Sequence, residues 1–292
     1  MSTSQASRIA FLGGGHMARA MIGGLLRQGT LAQQLGVGEP QAEARAALER
    51  EFGVRATADN TAALQGAAVV VLAVKPQTAA QALRSVAPAA LAHRPVLLSI
   101  AAGVRIADLT RLLPEGMPVV RAMPNRPALL GAGITGLFAP PGVTPAQRAL
   151  AEQIARAAGR FVWLRAEHEL DVVTALSGSG PAYFFLLAEC LAQAAVEQGL
   201  ERDTALLLAS ETLRGSGALA RGEATLAEQR AAVTSRGGTT QAALEVLEAG
   251  GFPALVGRAL RAAAARSVEL ADALSAAACK RSGADADNVR NP

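Results

Sequence analysis

The 292-residue sequence contains few cysteines and few aromatic residues, and both scarcities restrict the class of protein. Its two cysteines, Cys190 and Cys279, lie in alanine-rich stretches without the spacing of a zinc site, so no disulfide framework is predicted. Free cysteines fit a reducing compartment, which predicts the cytoplasm. Aromatic residues make up 3 % of the chain and hydrophobic residues 51 %, which is typical of a globular protein with an aliphatic core.

Long apolar runs are absent from the sequence as well. The longest, Ala67–Val74, has the length of a strand and is too short to span a bilayer. The first residues, Met1–Ser7, are polar and lack the apolar segment of an export signal. We therefore predict neither membrane insertion nor export.

Histidine is rare, and this limits the candidates for metal binding and acid–base catalysis. None of the three histidines, His16, His93 and His168, has a partner at the spacing of metal ligands. We predict a structural or solvated role for each of them, and no metal site.

Lysine is nearly absent: of the 28 basic residues only Lys75 and Lys280 are lysines. The arginines are scattered beside acidic residues, without a basic stripe or interleaved aromatic residues. The net charge of +4 therefore does not indicate nucleic-acid binding. In a chain that uses arginine almost everywhere, Lys75 is a candidate functional residue.

A glycine-rich turn near the N-terminus indicates a dinucleotide-binding fold. The apolar stretch Arg8–Leu12 is predicted to be a buried strand, and Gly13-Gly14-Gly15-His16-Met17-Ala18 leads directly into an amphipathic helix. In this pattern Gly13 permits the tight turn, Gly15 lets the backbone approach a pyrophosphate, and Ala18 lets helix and strand pack closely. The predicted cofactor contacts of this turn are Gly13, Gly15, His16, Met17 and Ala18.

Glu39 follows the second predicted strand, Gly36–Gly38, about two dozen residues after the turn. An acidic side chain there is predicted to accept hydrogen bonds from the adenosine ribose, which favours NADH. Its charge would repel the 2′-phosphate of NADPH, although Arg45 in the next helix could offset this repulsion. The choice between NADH and NADPH therefore stays open.

Continuous apolar strands alternate with helices through the first half of the chain, which predicts a parallel sheet covered on both faces. In such folds ligands bind beyond the carboxyl ends of the strands. The residues expected to contact a cofactor at those ends are Asn60, Val74, Lys75, Pro76 and Ala102. For Lys75 a solvated surface charge is the alternative, because loops at strand ends are exposed in any case.

Two later strand ends have less specific sequences. Ala101-Ala102-Gly103 leaves room for a flat ring. Met123-Pro124-Asn125 either forms the wall on the nicotinamide side or is a simple exit from a strand.

From Glu167 onward the pattern changes to alanine- and leucine-rich helices with no strand signal. Their apolar faces are wider than one small helical layer can cover, so burial against a second copy of the chain is predicted. We predict an α/β Rossmann-type dinucleotide-binding domain at residues 1–166, an all-α dimerisation and substrate-binding domain at 167–279, and a disordered tail at 280–292. The predicted helices of the second domain are Ala182–Gln198, Arg202–Ala220, Thr225–Val233, Gln241–Ala249 and Phe252–Ala277.

The stretch Val233–Thr240 combines four hydroxyl side chains, two adjacent glycines and Arg236 before a predicted helix. The glycines let the backbone approach a ligand closely, and the helix start directs free N–H groups at an anion. We predict a site for a small anion here, with an ordinary N-capped loop as the alternative.

Over residues 8–275 the chain resembles pyrroline-5-carboxylate reductase, the enzyme of the last step of proline biosynthesis. Arg236 departs from the Ser-Pro-Gly-Gly usual in that family, and Arg230-Ala231-Ala232 lacks a polar side chain often seen there. The pieces that carry the resemblance are the glycine-rich turn, Ala73–Gln77, Ala101–Gly103, Arg121–Asn125, Leu176–Tyr183 and Val233–Thr240.

The resemblance implies NAD(P)H-dependent reduction of a C=N bond by a homodimer whose helical domains interleave, with further assembly in some members. It implies that the substrate carboxylate is held by Ser235, Gly237, Gly238, Thr239 and Thr240. Ser235 and Thr240 are the catalytic candidates, and Thr240 is the expected hydrogen-bonding partner of the ring nitrogen. A cyclic imine can take its proton from water, so no strong acid is expected.

Two other functions stay open at this point. One is a different imine reductase or a β-hydroxyacid dehydrogenase of the same architecture. A hydroxyacid enzyme is expected to carry a lysine at residues 170–200, and the sequence has none there. The other is a non-catalytic dinucleotide-binding protein, because a fold alone does not prove activity.

Overall fold

The computed structural model describes residues 7–288, with side chains described to Ala277 apart from that of Ala89. Within this range eight strands form one sheet in the order β3-β2-β1-β4-β5-β6-β7-β8. The first six strands are mutually parallel, β7 is antiparallel to β6, and β8 is parallel to β7. The strands are β1 (Arg8–Leu12), β2 (Leu35–Gly38), β3 (Arg55–Thr57), β4 (Ala67–Leu72), β5 (Val96–Ser99), β6 (Val119–Met123), β7 (Gly133–Phe138) and β8 (Gly159–Trp163).

The order of the six parallel strands is that of a doubly wound dinucleotide-binding sheet. Short helical turns lie at Ala32–Gln34, Pro76–Thr78 and Arg126–Leu130, and a π-helical turn at Thr174–Gly178. The α-helices among residues 7–288 are α1 (His16–Arg27), α2 (Ala42–Phe52), α3 (Asn60–Leu64), α4 (Ala79–Arg84), α5 (Pro88–Leu91), α6 (Ile106–Thr110), α7 (Pro145–Ala158), α8 (Glu169–Val173), α9 (Gly180–Glu197), α10 (Arg202–Leu219), α11 (Leu226–Ala232), α12 (Thr239–Ala249) and α13 (Phe252–Asn288).

Strand β4 illustrates why the apolar runs form buried parallel strands. Val69 and Val71 pack into the hydrophobic cluster on one face of the sheet, and Val70 and Leu72 into the cluster on the other. All four side chains are fully buried. Because successive side chains of a strand point to opposite faces, a strand covered by helices on both sides needs apolar residues at every position.

The described chain divides into two compact units, which differ from the predicted domains. The first unit runs to Gly178 and resumes at Ala263, and the second unit is Ser179–Ala262. By their contacts residues 167–178 group with the sheet, and the predicted domain boundary at 166 stays a prediction. Asp171 of α8 accepts hydrogen bonds from Arg105 at 3.1 Å and from Ser267 at 2.7 Å, all three within the first unit.

The C-terminus differs from the prediction in part. Helix α13 does not end near Ala277 but continues to Asn288, so residues 280–288 are helical rather than disordered. Alanine, lysine and arginine, which favour helices, outweigh the polar character of this stretch. The rest of the predicted tail, residues 289–292, lies outside the described residues.

The helices of the second unit expose large apolar side chains. In α9, Phe184, Phe185 and Leu186 are each more than half exposed in the single chain. By length and composition alone, the stretch Glu169–Glu197 could cross a membrane, with a mean hydropathy of 1.3. This is weak evidence for a membrane span, because helices of globular proteins pass the same test. A broad apolar face of this kind also suits contact with another protein surface.

Helices α1 and α7 approach closely where α1 carries Gly24. A Cβ placed on Gly24 would lie 1.9 Å from the carbonyl oxygen of Ala157. One on the adjacent Gly23 would meet only side-chain atoms, the Phe52 ring at 3.3 Å and the Arg27 guanidinium at 3.4 Å. The packing of the two helices therefore requires glycine at position 24 and not at position 23.

We expect Gly24→Ala to lower the free energy of unfolding by about 2 kcal/mol or more, because α1 and α7 must separate. Gly23→Ala is the matched control, and it should change stability by less than about 1 kcal/mol because alanine favours helices. Chemical denaturation followed by circular dichroism measures both. Equal effects of the two substitutions would contradict this packing.

Candidate active site

The turn between β1 and α1 has a backbone shape that only glycine can adopt without strain. Gly13 has φ +97°, and a Cβ placed on it would lie 2.7 Å from the carbonyl oxygen of Ala73. Its N–H donates to the carbonyl of Gly38 at 2.8 Å. The turn is thus held between the carboxyl ends of β2 and β4, the edge at which such sheets bind ligands.

Helix α1 follows Gly15, its N-cap residue. Because glycine has no side chain, no hydrogen bond from the N-cap side chain caps the first turn of the helix. Nothing lies within 4 Å of a Cβ built on Gly15, so the space in front of the helix start is open. His16 is exposed, Met17 is half-buried, and Ala18 is buried in the core. Free N–H groups and the helix dipole at such a start suit a pyrophosphate, so these residues fit a dinucleotide.

Glu39 makes contacts that its sequence position does not reveal. One carboxylate oxygen accepts a hydrogen bond from the N–H of Gly14 at 2.9 Å, and the other accepts from the N–H of Gln41 at 3.0 Å. Glu39 thereby ties the glycine turn to the end of β2. A carboxylate oxygen has further lone pairs, so the predicted contact with the ribose stays a prediction.

Arg45 lies beside Glu39. One nitrogen of its guanidinium donates to the carbonyls of Glu39 and Pro40, at 2.9 and 2.7 Å. These bonds hold a positive charge at the end of β2, next to the carboxylate. This arrangement would partly offset repulsion of a 2′-phosphate, as the sequence predicts.

Asn60, at the start of α3, lies against the end of β2. A Cβ placed on Gly38 would be 2.1 Å from the side-chain oxygen of Asn60, so a larger residue there would displace the Asn60 side chain. The side-chain nitrogen of Asn60 donates to the hydroxyl of Ser85 at 2.7 Å, and this hydroxyl donates to the carbonyl of Ala82 at 2.8 Å. Ser85 was not predicted, because it is 25 residues away and nothing in its local sequence indicates the contact.

The residues after β4 lie beside the same turn. A Cβ on Gly13 would be 2.9 Å from a methyl carbon of Val74. Lys75 is exposed at the start of the short turn Pro76–Thr78, and no carboxylate among residues 7–277 is recorded as its partner. Ala102, after β5, is half-buried. The structure therefore brings the predicted cofactor residues to one edge of the sheet.

A cavity of about 770 Å³ adjoins this edge in the first unit. Its wall includes Pro76 and Ser85, and the remainder comes mainly from α4, from α6 and the residues after it, and from Leu274 and Ala277 of α13. None of the residues Gly13–Ala18 lines it. The cavity is thus a neighbour of the glycine turn and does not contain it.

The loop after β6 is fixed by its own asparagine. The amide nitrogen of Asn125 donates to the carbonyl of Ser177 at 3.1 Å, and the amide oxygen accepts from the N–H of Ile134 at 2.9 Å. Nearby, the buried Arg121 pairs with Glu167 at 2.8 Å. These contacts hold the loop in one shape, and whether it also forms the wall on the nicotinamide side stays open.

The predicted anion site in the second unit is a tight turn followed by α12. The N–H of Gly238 donates to the carbonyl of Ser235 at 3.0 Å, and Gly237 between them has φ +71°. The N–H of Gly237 donates to the side-chain oxygen of Gln241 at 2.7 Å. The N–H groups of Gly237 and Gly238 are therefore both engaged within the loop in the described conformation, and their contact with a carboxylate stays a prediction.

Other donors of the loop stay available. Helix α12 begins at Thr239, and the residue before it, Gly238, has no side chain that could cap the helix. Among the described residues, no acceptor is recorded for the N–H groups of Thr239 and Thr240 or for the hydroxyl of Ser235. The predicted site thus keeps hydroxyls and a helix start, which suit a small anion.

Helix α11, directly before the loop, differs from α12 in that side chains cap its first turn. The hydroxyl of Thr225 accepts from the N–H of Glu228 at 3.2 Å, and the carboxylate of Glu228 accepts from the N–H of Thr225 at 2.7 Å. Hydrogen bonds from the backbone N–H and then the hydroxyl of Thr225 lower the pKa of Glu228. The start of α11 is closed by its own side chains, and that of α12 is not.

No group of three or more His, Cys, Asp and Glu side chains that could hold a metal comes together among the described residues. His93 contacts the carbonyl of Ala67 at 2.7 Å through its ring nitrogen, and His168 precedes α8.

The predicted cofactor residues all lie in the first unit, and the loop Ser235–Thr240 lies in the second.

Comparison with known proteins places the chain in a family. A family model described as pyrroline-5-carboxylate reductase dimerisation matches residues 167–270, and one described as NADP oxidoreductase, coenzyme F420-dependent, matches residues 8–103. A pyrroline-5-carboxylate reductase of Pseudomonas aeruginosa is 46 % identical over 268 residues, which cover 91 % of this chain and 98 % of the relative. The chain belongs to the pyrroline-5-carboxylate reductase family.

Solved structures of the family agree with the fold. A pyrroline-5-carboxylate reductase from Coxiella burnetii is 39 % identical with a TM-score of 0.87, covering 91 % of this chain and 99 % of that one. The Plasmodium falciparum pyrroline carboxylate reductase, solved with NADP bound, is 26 % identical with a TM-score of 0.76 and the same coverage. The resemblance and the predicted fold class, a Rossmann-type domain followed by a helical dimerisation domain, are confirmed.

The contacts of Glu39 lead to a test with both cofactors. We expect Glu39→Ala to weaken NADH binding by about tenfold, because the N–H groups of Gly14 and Gln41 lose a charged acceptor. NADPH binding should also weaken, but by less, because repulsion of the 2′-phosphate is lost at the same time. Isothermal titration calorimetry with each cofactor measures the effect, and Glu43→Ala, at an exposed position in the first turn of α2, is the control. Tighter binding of NADPH together with weaker binding of NADH would instead identify the carboxylate as a ribose contact alone.

Proposed function

We propose that this chain reduces the C=N bond of 1-pyrroline-5-carboxylate to L-proline, the last step of proline biosynthesis, with NADPH or NADH as reductant. It is then an oxidoreductase acting on the CH–NH group. Relatives named pyrroline-5-carboxylate reductase, 46 and 38 % identical over at least 90 % of the chain, support this function. The structural observation on which this function depends is that no side chain caps the start of α12, next to the Ser235 hydroxyl. The same chain has a separate helix start, that of α1, which suits a dinucleotide.

The cofactor is assigned to the edge formed by β1, β2 and β4. The start of α1 behind Gly15 would hold the pyrophosphate, Glu39 and Asn60 would lie at the ribose, and Lys75 would supply a positive charge. When bound, the reduced nicotinamide supplies a hydride for the carbon of the C=N bond. The NADP bound in the Plasmodium relative and the match to an NADP oxidoreductase model favour NADPH as one accepted cofactor.

The substrate carboxylate is assigned to the start of α12. The N–H groups of Thr239 and Thr240 and the hydroxyl of Ser235 are the donors left free by the loop's internal hydrogen bonds. The exposed guanidinium of Arg236 has no recorded partner among residues 7–277, and we assign it to solvent because the amides already suit an anion. The site then orients a small, negatively charged imino acid.

Proton transfer in this proposal does not require a strong acid. The second unit, Ser179–Ala262, contains no histidine and no lysine. The imine nitrogen can take its proton from water, with the Thr240 hydroxyl as its hydrogen-bonding partner. Most of the rate enhancement would come from orientation, since near-attack placement can contribute roughly 7–11 kcal/mol.

We further propose a cytoplasmic homodimer formed through the helical domain, with higher assembly left to experiment. The match to a dimerisation family model over residues 167–270 supports it. So do the exposed apolar side chains of α9. We propose no nucleic-acid, membrane or metal partner.

The direct test follows oxidation of NADH and NADPH at 340 nm in the presence of 1-pyrroline-5-carboxylate. We expect oxidation with at least one cofactor and formation of proline. Absence of oxidation with both cofactors would refute the proposed function. The ratio of the two rates gives the cofactor preference.

Thr240 is tested by a matched pair of substitutions. We expect Thr240→Val, which removes the hydroxyl at constant shape, to lower kcat about tenfold or more because the ring nitrogen loses a hydrogen bond. Thr240→Ser, which keeps the hydroxyl, should retain most of the activity, and NADPH affinity should be nearly unchanged in both. Equal turnover of Thr240→Val and wild type would remove Thr240 from the mechanism.

A further inference from the structure

The loop before α12 has the form of a type II turn. Ser235 and Gly238 are joined by the hydrogen bond between carbonyl and N–H, and Gly237 has the positive φ that the third position of such a turn requires. Proline is favoured at the second position, because its ring fixes φ in advance. Here that position is Arg236, whose backbone is not fixed by a ring. The turn therefore needs another interaction to keep one shape.

Gln241 supplies such an interaction. It is the third residue of α12, and its side-chain oxygen accepts the hydrogen bond from the N–H of Gly237 at 2.7 Å. This resembles a capping box in which a glutamine reaches back to the backbone before its helix, displaced by one residue. The side-chain nitrogen of Gln241 donates to Glu245 at 2.8 Å, one turn further along α12. Glu245 thus orients the amide so that its oxygen faces Gly237.

The bond also determines which donors of the loop remain for a ligand. The N–H of Gly237 donates to the Gln241 side chain and therefore cannot donate to an anion. The N–H of Gly238 is likewise occupied, because it donates to the carbonyl of Ser235. The free donors are then the N–H groups of Thr239 and Thr240 at the helix start, beside the Ser235 hydroxyl. A loop held in one arrangement binds its ligand without a further cost in conformational entropy.

We propose that Gln241, oriented by Glu245, is a positioning residue for the substrate, and that it holds the loop in place of a proline at position 236. The inference rests on the proposed function, because it assumes that the substrate carboxylate binds at the start of α12. Gln241 acts through the backbone of Gly237 and does not itself contact the substrate.

The first test is Gln241→Met, which removes the acceptor but preserves side-chain length and helix propensity. We expect the KM for 1-pyrroline-5-carboxylate to rise about 3- to 10-fold, which is what the loss of one hydrogen bond predicts. Turnover at saturation and the Kd for NADPH should stay within about twofold of wild type, since only the arrangement of the loop is lost.

A matched control is available on α9. Gln193 donates to Glu197 at 3.1 Å with the same four-residue spacing, but no bond is recorded between it and the loop. Gln193→Met should leave the KM unchanged. A rise in KM in this control equal to that of Gln241→Met would show a general effect of removing a surface glutamine and would overturn the proposal.

The decisive test is rescue by Arg236→Pro. In the Gln241→Met background, proline at position 236 should bring the KM back to within about twofold of wild type, because the ring fixes the turn. In the wild-type background the same change should alter the KM by less than about twofold, because Gln241 already holds the loop. A defect of packing elsewhere in α12 would not be rescued in this way.

Failure of this inference can be told from failure of the proposed function by including Ser235→Ala. If Ser235→Ala raises the KM while Gln241→Met does not, the role of Gln241 is wrong and the substrate site stands. If neither substitution changes the KM, the loop does not bind the substrate, and both the carboxylate site at α12 and the role of Gln241 are wrong although the reductase activity stands. Absence of any turnover in the wild type would instead refute the proposed function. An increase with Gln241→Met that Arg236→Pro does not reverse would also overturn the inference.

Discussion

Two helix starts without a capping side chain are the physical feature on which this account depends. Helix α1 begins behind Gly15 and helix α12 behind Gly238, and neither glycine can accept hydrogen bonds from the N–H groups of the first turn. Such groups, with the helix dipole, favour an anion. One start lies at the carboxyl edge of the sheet and suits a pyrophosphate. The other follows a tight hydroxyl-rich turn and suits a single carboxylate.

At each of these two helix starts, a nearby side chain fixes the turn that precedes the helix. Glu39 accepts the N–H of Gly14 and so holds the turn before α1. Gln241 accepts the N–H of Gly237 and so holds the turn before α12. In both places a side-chain oxygen satisfies a backbone N–H in the turn and leaves the helix start open. Both helix starts are therefore held in one arrangement with no side chain capping their first N–H groups, which suits a small anionic ligand.

The sequence predicted those features that are set by local constraints. The strands of the sheet could be predicted because residues buried on both faces must be apolar, and the turn at Gly13 because only glycine adopts its backbone shape. The sequence did not reveal the partners of Glu39 and Asn60, which lie 25 residues away and depend on the packing of separate strands and helices. The hydrogen bond from Gly237 to Gln241 joins residues four apart in the sequence. A glutamine at the third position of a helix is typical of a side chain that caps the preceding turn, so this bond could have been predicted. The sequence also did not reveal the contacts of Asp171 with Arg105 and Ser267, which join residues distant in the chain.

In the proposed function a nicotinamide cofactor and an imine bind so that a hydride passes directly from one to the other. The most direct test uses NADPH labelled with deuterium at C4 of the nicotinamide, in each of its two stereoisomers, together with 1-pyrroline-5-carboxylate. The account predicts that one stereoisomer gives proline carrying a single deuterium at Cδ, seen by mass spectrometry and NMR, and that the other gives unlabelled proline. Consumption of NADPH without deuterium in proline from either stereoisomer would contradict it.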